Sequence, residues 1–184
     1  MQPTSGTARV LGIDALENPH EARSKITYLP EQVALYPDLT GLENLKYLLT
    51  LCGLDGESEE RLSSCLVEAG LDEKHHRQRV GGYSKGMRQK VGFGLALAKQ
   101  SEVLLLDEPT SGLDPASAND FASILLKLAE QGAAIFMVTH DLFRVKQISH
   151  RVGIMKTGVL VEERKTSELE AEELEKLYLQ HMRN

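Results

Sequence analysis

Apolar residues along the chain follow two different spacings, and the change separates a helical part from an α/β part. From residue 40 to residue 100 they recur every three or four positions, as on the buried side of amphipathic helices. The predicted helices of this part cover residues 40–53, 58–69 and 84–100. From residue 103 onward the apolar residues form short continuous runs, which are typical of strands buried on both faces of a parallel sheet.

The α/β part contains a predicted strand–helix–strand unit. Residues 103–106 and 133–138 are the continuous apolar runs, and residues 115–131 between them repeat apolar side chains at helical spacing. A helix that connects two buried strands is the usual link between parallel neighbours in a sheet. We therefore predict a βαβ unit over this stretch.

Local sequence signals predict the remaining elements. Thr40 and Glu43 have the spacing of a capping box at the start of the first helix, and Gly53 suits its end. Thr157 and Gly158 predict the turn of a hairpin. The other predictions are strands over 7–13 and 25–30, a polar loop over 71–82, the hairpin over 151–163 and a charged terminal helix over 167–182.

Together these elements predict an α/β fold with a largely parallel sheet and an inserted α-helical subdomain. Residues 1–39 are predicted to be part of the α/β core, and residues 40–98 the helical subdomain. The catalytic part of the core follows over residues 99–165, and a terminal helix occupies residues 166–184.

Composition excludes several classes of protein. The chain has 21 Lys and Arg against 27 Asp and Glu, so it offers no basic surface for nucleic acid, and we expect none as a partner. Cys52 and Cys65 lack the spacing of metal ligands, and we expect both to be packing residues. His75, His76 and His150 are expected to be solvated surface residues. The apolar runs are far shorter than the roughly 20 residues that a membrane-spanning helix needs.

Polar pairs follow the two buried strands of the βαβ unit. Asp107 and Glu108 end the first strand, and Thr139 and His140 end the second. Because the carboxyl ends of parallel strands share one edge of a sheet, both pairs are expected at the same ligand-binding edge. An acid for Mg²⁺, a group that orients water and a donor near a phosphate are the parts of a metal–nucleotide site. The alternative is that these acids only terminate a strand.

Several segments around these pairs resemble the motifs of ATP-binding cassette (ABC) ATPases, in the same order. They are "YLPEQ" (28–32, the Q-loop), "YSKGMRQK" (83–90, the signature), "LLLDEPTSGLD" (104–114, Walker B and the D-loop) and "VTHD" (138–141, the switch histidine). The similarity extends from "PTSGTARVLGID" near the start of the chain to about residue 165. The resemblance implies an α/β fold of the P-loop NTPase type, with ATP and Mg²⁺ as cofactors.

The resemblance also implies roles for single residues at the strand ends and in the Q-loop. Asp107 would hold Mg²⁺ through its water shell, and Glu108 would polarise the attacking water. His140 would contact the γ-phosphate. Gln32 would sense the metal and the water and pass the nucleotide state to a partner subunit.

Three further residues are implied to act across a dimer. Ser84 and Gly86 would cap the ATP held by the opposite subunit, and Asp114 in the D-loop would face that subunit. A serine that opens a helix presents free N–H groups to a phosphate, and a glycine lets the phosphate approach the backbone. The alternative is that Ser84 is only an N-cap, and that Asp114 caps the next helix, whose first residue is Pro115.

The signature differs from the commonest family form, Leu-Ser-Gly-Gly-Gln. Over residues 83–87 it reads Tyr-Ser-Lys-Gly-Met, so that Lys85 replaces the first glycine and Met87 the glutamine. This variant is similar to that of exporter-type cassettes of the drug-resistance kind, and it indicates export.

The phosphate-binding motif GxxxxGK[ST] does not occur in the sequence, which contains no Gly-Lys pair. The family places this motif on a strand–loop–helix unit ahead of the "PTSG" segment at residues 3–6. The N-terminal strand, the P-loop and the first helix are therefore expected to be missing. Since P-loop N–H groups and its lysine cradle the phosphates, we expect these 184 residues alone to bind ATP poorly and hydrolyse none measurably.

The resemblance implies a motor subunit that hydrolyses ATP for a membrane transporter, and the signature variant indicates an exporter. Its partners would be a transmembrane permease subunit and a second ATP-binding subunit in a head-to-tail dimer, and it would be cytoplasmic and peripheral to the membrane. Val33, Ala34, Leu35 and Leu39, within 32–45, are expected to contact the permease or to be core. The alternatives are a soluble ABC ATPase acting on the ribosome or DNA, and a non-catalytic truncated product.

Overall fold

The computed structural model describes residues 3–182, which divide into a first unit ending at Val138 and a second beginning at Thr139. The first unit contains, in chain order, β1 (Arg9–Val10), β2 (Ile13–Asp14), α1 (Pro19–Ser24), β3 (Ile26–Leu29), α2 (Gly41–Leu51), α3 (Glu59–Glu68), α4 (Glu73–His76), α5 (Lys85–Ala98), β4 (Val103–Asp107), α6 (Pro115–Glu130) and β5 (Ala134–Val138). The second contains α7 (Leu142–Ile148), β6 (Arg151–Lys156), β7 (Val159–Lys165) and α8 (Ala171–Met182). Single 3₁₀ turns lie at Val80–Gly82 and Thr166–Glu168.

The predicted helices of the helical subdomain are confirmed, and each begins at a side-chain cap. The Thr40 hydroxyl accepts from the Glu43 backbone N–H, and the Glu43 carboxylate accepts from the Thr40 N–H, which completes the capping box. Ser58 caps α3 by accepting from the Arg61 N–H. Gly53, with φ of +74°, follows α2 in the left-handed conformation that suits a helix end.

Helices α2, α3 and α5 bury a shared apolar core. Their inward side chains include Leu45, Leu66 and Val91, all fully buried. Gly94 permits α5 to approach α3 closely, because a Cβ at this position would lie only 2.9 Å from a methyl of Leu66. Leu35, in the segment after β3, packs against the same core.

The sheet of the first unit has three parallel strands in the order β3-β4-β5, and this confirms the predicted βαβ unit. Leu104 pairs with Thr27 on one side and with Ile135 on the other. Phe93 of α5 and Phe121 of α6 meet edge to face at 4.6 Å between ring centroids. Gly92 of α5 lies against Leu29 of β3, so the buried face of the sheet is the one that α5 covers.

The second face of the sheet differs from the expectation that residues 133–138 are buried on both sides. Tyr28, Leu105 and Phe136 share one row of this face, and both Tyr28 and Phe136 are exposed. Residues alternate between exposed and half-buried along β5. The prediction was wrong for this strand because burial depends on what covers each face, which a run of apolar residues does not record.

Two segments fold differently from their prediction. The predicted strand over 7–13 is a hairpin of two short strands, because Leu11 and Gly12 both take positive φ and turn the chain back. The predicted loop over 71–82 contains α4, which Asp72 caps. His76 on α4 is buried rather than solvated, with ring nitrogens 2.9 Å from the Ser63 hydroxyl and 3.0 Å from the Leu71 carbonyl oxygen.

The second unit contains the predicted hairpin and the predicted terminal helix. Strands β6 and β7 pair antiparallel, and Thr157 and Gly158 form the turn with φ of +46° and +81°. Leu174 of α8 is fully buried, as its position on the inner side of the helix predicts. The unit also includes α7, for which the sequence patterns gave no prediction.

Candidate functional site

Asp107 is the last residue of β4 and lies at the carboxyl edge of the parallel sheet. Its strand partner on β5 is Val138, and its side chain is partly buried. The Tyr28 hydroxyl donates a hydrogen bond to Asp107 Oδ2 over 3.4 Å. A carboxylate at this edge matches the general position of ligand sites in parallel sheets.

Glu108 follows directly in a conformation that is uncommon for a residue with a side chain. Its φ is +44°, in the left-handed region that costs roughly 1–2 kcal/mol for an L-residue. Two backbone hydrogen bonds hold it there: its N–H donates to the Val138 carbonyl over 2.9 Å, and its carbonyl accepts from the Ser111 N–H over 3.1 Å. Strained backbone of this kind concentrates at functional sites, and here it fixes the direction in which the Glu108 side chain leaves the sheet edge.

Asp114 lies at the end of the loop that follows Glu108 and caps α6. Its carboxylate accepts from the Ser117 N–H over 3.0 Å and from the Ser117 hydroxyl over 2.6 Å, and Pro115 occupies the first helical position. The hydrogen bonds from Ser117 hold the pKa of Asp114 below its ordinary value. The capping role is confirmed, while the dimer contact stays a prediction.

Ser84 and Gly86 lie at the start of α5. Ser84 is the N-cap, and its hydroxyl accepts from the Met87 N–H over 3.2 Å. Gly86 is buried against the loop before α6, where a Cβ would lie 3.5 Å from both Leu113 and the Ser117 hydroxyl. The structure thus brings the signature segment and the D-loop side by side within the first unit.

Gln32 lies exposed in the irregular segment after β3, and a buried residue of α5 anchors the residues before it. The Gln89 side-chain amide donates to the Glu31 carbonyl over 3.0 Å and to the Pro30 carbonyl over 3.4 Å. Gln89 was not among the predicted site residues. Its position in the signature segment "YSKGMRQK" was visible, but the 58 positions that separate it from Glu31 concealed the contact.

A second residue missed from sequence, Asn44 of α2, holds the continuation of this segment. Its side chain is fully buried, accepts from the Tyr36 N–H over 2.8 Å and donates to the Tyr36, Leu39 and Thr40 carbonyls at 3.0, 3.3 and 2.9 Å. Tyr36 itself is exposed and meets Tyr47 edge to face. The backbone between Tyr36 and Thr40 is therefore fixed, with an aromatic side chain on its outside.

His140 belongs to the second unit, where it directly precedes α7. The next residue, Asp141, caps this helix by accepting from the Arg144 N–H over 3.1 Å. The Asp141 N–H donates in turn to the Thr139 hydroxyl over 3.1 Å. The His140 side chain is exposed beside this capped turn.

The donors at the sheet edge fit magnesium in their chemistry. Mg²⁺ prefers oxygen ligands and is commonly bound through one or two carboxylates together with substrate phosphates. Asp107 supplies one such carboxylate at the end of β4. Within residues 3–182, no group of three or more His, Cys, Asp or Glu side chains forms an all-protein metal cluster.

Among the helices of residues 3–182, none combines the length and the apolar character that crossing a membrane requires.

Comparisons with known proteins agree on one family. The family model described as "ABC transporter" matches residues 1–111. The bacitracin transport ATP-binding protein BcrA of Enterococcus faecalis is 40% identical over 168 residues, which cover 91% of this chain and 54% of that protein. The daunorubicin/doxorubicin resistance ATP-binding protein DrrA of Streptomyces peucetius is 31% identical over 93% of this chain and 52% of its own length. The chain thus spans about half the length of these relatives.

Two solved structures share the fold. The dimeric post-hydrolysis structure of the ATP-binding cassette MJ0796 bound to ADP and Pi has a TM-score of 0.79 and 28% identity, over 90% of this chain and 75% of that one. A structure of an ATP-binding subunit of an ABC transporter has a TM-score of 0.83 and 27% identity, over 99% of this chain and 78% of that one.

Proposed function

This chain belongs to the ABC transporter family and has the α/β fold of its ATPase cassettes, and we propose that it is part of the motor subunit of an exporter. The observation that carries this proposal is the turn at Asp107 and Glu108. There, two consecutive carboxylates lie at the carboxyl edge of a parallel sheet, and backbone hydrogen bonds hold the second in a left-handed conformation.

The proposed chemistry is hydrolysis of the terminal phosphate of ATP by water. Glu108 would accept a proton from the attacking water, and its fixed backbone would aim the carboxylate without reorganisation. Mg²⁺, when bound with ATP, would neutralise phosphate charge, and Asp107 would hold it with help from Gln32. His140 would donate to the γ-phosphate, a role for which its exposure beside a capped turn leaves the ring accessible.

A second copy or a related subunit is the proposed partner across the nucleotide. Ser84 and Gly86 would present the N-terminal N–H groups of α5 to the phosphates bound by that partner, and Asp114 would lie beside them. The dimeric state of the solved MJ0796 cassette supports this arrangement.

A membrane permease is the other proposed partner, which would make the protein peripheral to the cytoplasmic side of a membrane. Export is supported by relatives named for bacitracin transport, linearmycin resistance and daunorubicin/doxorubicin resistance. The same names favour transport over the alternative of an ATPase that acts on the ribosome or DNA. The exposed Tyr36 beside Gln32 is a candidate contact for the permease.

The sequence contains no Gly-Lys pair, so these residues are proposed to form only part of an ATPase centre. They would supply the metal-binding and water-activating part of the ATPase centre, while a phosphate-binding loop would supply most of the affinity for ATP. A polypeptide of residues 1–184 alone is expected to show weak ATP binding in a titration with a fluorescent ATP analogue and no measurable phosphate release. Normal turnover by this purified, folded polypeptide would contradict this division of roles.

The role of Glu108 is tested in a transporter that is assembled in membrane vesicles from a subunit joining these residues to a phosphate-binding loop. We expect Glu108→Gln to lower ATP-dependent phosphate release by about 10²- to 10⁴-fold, the usual contribution of a general base. Glu102→Gln is the matched control, because Glu102 precedes the other end of β4 and pairs with Lys25. Full activity of the Glu108→Gln transporter, or equal losses in both variants, would remove the proposed role.

A further inference from the structure

Glu31, the residue before Gln32, lies at a junction of three segments. Its carboxylate oxygen Oε1 is 3.1 Å from the Lys85 ammonium and accepts a hydrogen bond from the Ser111 hydroxyl, also over 3.1 Å. Lys85 belongs to the signature at the start of α5, and Ser111 to the loop between β4 and α6. Positions separated by 54 and 80 residues in the sequence therefore meet on one carboxylate atom.

Lys85 is the first residue of α5, a position that is unfavourable for a cation, and this gives its ion pair with Glu31 a compensating role. A cation at a helix N-terminus faces the positive end of the helix dipole and is unfavourable by about 0.3–1 kcal/mol. The first turn of α5 contains no acidic residue that would offset this charge. Glu31 supplies the missing anion from another segment, so the pair compensates for a residue that the helix by itself disfavours.

The junction extends by one hydrogen bond to the candidate catalytic residue. The Ser111 N–H donates to the carbonyl of Glu108, while the Ser111 hydroxyl donates to Glu31. Lys85 also lies against this turn, because a Cβ at Gly112 would meet its Cδ and Nζ at 3.8 Å. A shift of Glu31 would therefore change its contacts with Ser111 and with Lys85, which both border the left-handed turn at Glu108.

We propose that Glu31, Lys85 and Ser111 form a latch that transmits the position of the Gln32 segment to the Glu108 turn, with Lys85 as its positioning residue. The inference rests on the proposed ATPase function. Movement of the segment that contains Gln32 would carry the Glu31 carboxylate away from Ser111 and release the turn. Lys85, which replaces the usual glycine of the signature, would give this chain a connection that a glycine cannot provide.

The latch is tested by amide hydrogen exchange on the full chain without nucleotide. We expect Lys85→Met and Glu31→Gln each to accelerate exchange of the Ser111 amide about two- to fivefold, the factor that corresponds to a partly exposed ion pair. The double variant should exchange no faster than either single variant, since both remove one interaction. Lys85→Arg, which keeps the cation and leaves the Glu31 carboxylate in place, should retain the slow rate.

Lys90→Met is the matched control. It removes the 3.4 Å ion pair between Lys90 and Asp120 from the same helix and should leave the Ser111 amide unchanged, with α2 amides protected in every variant. Unchanged exchange in Lys85→Met, additive effects of the two single variants, or exchange in Lys85→Arg as fast as in Lys85→Met would each overturn the latch. Since no ATP is used, these outcomes are independent of whether Glu108→Gln abolishes hydrolysis.

In a transporter whose subunit joins these residues to a phosphate-binding loop, a positioning role predicts that kcat changes and KM does not. Lys85→Met should lower kcat for ATP several-fold with KM unchanged, because the ion pair positions Glu108 and does not hold the nucleotide. Lys85→Arg should retain kcat. A rise in KM with kcat unchanged would instead identify Lys85 as a nucleotide contact and contradict the proposal.

Discussion

The helical subdomain and the parallel sheet of the first unit differ in how they cover their apolar side chains. Leu45 and Leu66 in the helical core have 0% exposure. On the second face of the sheet, Tyr28, Phe136 and Val138 are 56%, 64% and 53% exposed. The two regions have similarly apolar sequences, yet only the helical one packs its inward apolar stripes into a fully buried core, while Leu51 and Val67 stay exposed on its outside.

The difference follows from where the covering partners are in the sequence. Helices α2, α3 and α5 come from one continuous stretch of about 60 residues and bury one another's apolar stripes, as amphipathic helices do. A parallel sheet needs a layer on each face, and the strands themselves supply neither. Apolar patches that stay exposed commonly mark places where another layer or partner packs, and the second face of the sheet is such a patch.

The largest predicted contrast comes from truncating one side chain in each region. Leu45→Ala should lower the free energy of unfolding by about 2–5 kcal/mol, because it leaves a cavity in a closed core. Phe136→Ala should change it by less than about 0.5 kcal/mol, because the ring is already exposed to solvent. Chemical denaturation followed by circular dichroism measures both.

If Leu45→Ala and Phe136→Ala lowered the free energy of unfolding by comparable amounts, the contrast between the two regions would be wrong. The second face of the sheet would then be covered in solution. If Phe136→Ala alone lowered the free energy of unfolding, by an amount that depends on protein concentration, association of chains would be what covers the second face. Sedimentation of the same two variants separates these outcomes.

The same contrast explains how much of the molecule could be predicted from sequence. The Thr40–Glu43 capping box and the Thr157–Gly158 turn depend on residues within a few positions, and both predictions are confirmed. Exposure of Phe136 was missed, because it depends on a layer that apolar spacing does not reveal.

In the candidate site, too, features set by neighbouring residues could be predicted from the sequence and features set by distant residues could not. The order of Asp107, Glu108 and Asp114 on a strand end and a helix cap was readable from sequence, since neighbouring residues produce it. The left-handed φ of Glu108 and the contacts of Glu31 were not, because each depends on residues that are distant in the chain.

A second prediction concerns the contact at which the two regions meet. Gly92 of α5 lies over Leu29 of β3, and a Cβ there would lie 2.5 Å from a Leu29 methyl and 3.4 Å from a Val33 methyl. Gly92→Ala should destabilise the fold by about 1–2 kcal/mol, because overpacking of a buried site exceeds the gain in helix propensity. Thermal unfolding monitored by calorimetry shows whether Gly92→Ala lowers or raises the unfolding temperature.

Gly86→Ala is the matched control on the same helix. Its added Cβ would meet Leu113 and Ser117 at 3.5 Å, an ordinary contact distance, so stability should stay equal or rise slightly. If Gly92→Ala were also stabilising, the sheet and α5 would be less closely packed than the covered face implies.

A third prediction tests the local signals that start the helical subdomain. Thr40→Ala should cost about 1 kcal/mol, because it removes the side-chain acceptor for the Glu43 N–H at the start of α2. Thr50→Ala, an exposed position in the last turn of the same helix, should be neutral within about 0.5 kcal/mol. Equal effects of the two substitutions in urea denaturation would show that the cap contributes nothing specific.

The smallest predicted effect is that the contribution of the same cap to the free energy of unfolding depends on pH. Hydrogen bonds from the Thr40 N–H and hydroxyl hold the pKa of Glu43 below its ordinary value in the folded state. The folded chain therefore favours the ionised carboxylate, and this contribution is complete above the unfolded pKa and lost as pH falls through the folded one.

Glu43→Gln isolates this contribution, because glutamine keeps an acceptor for the Thr40 N–H but does not titrate in that range. The stability difference between the two chains should be constant near neutral pH and shrink in acid, as urea midpoints measured at successive pH values would show. A difference that is unchanged in acid would mean that the charge of Glu43 does not contribute to the cap. Since Glu43 is exposed, a shrinking difference would show that solvent-facing local interactions help to define the helical subdomain.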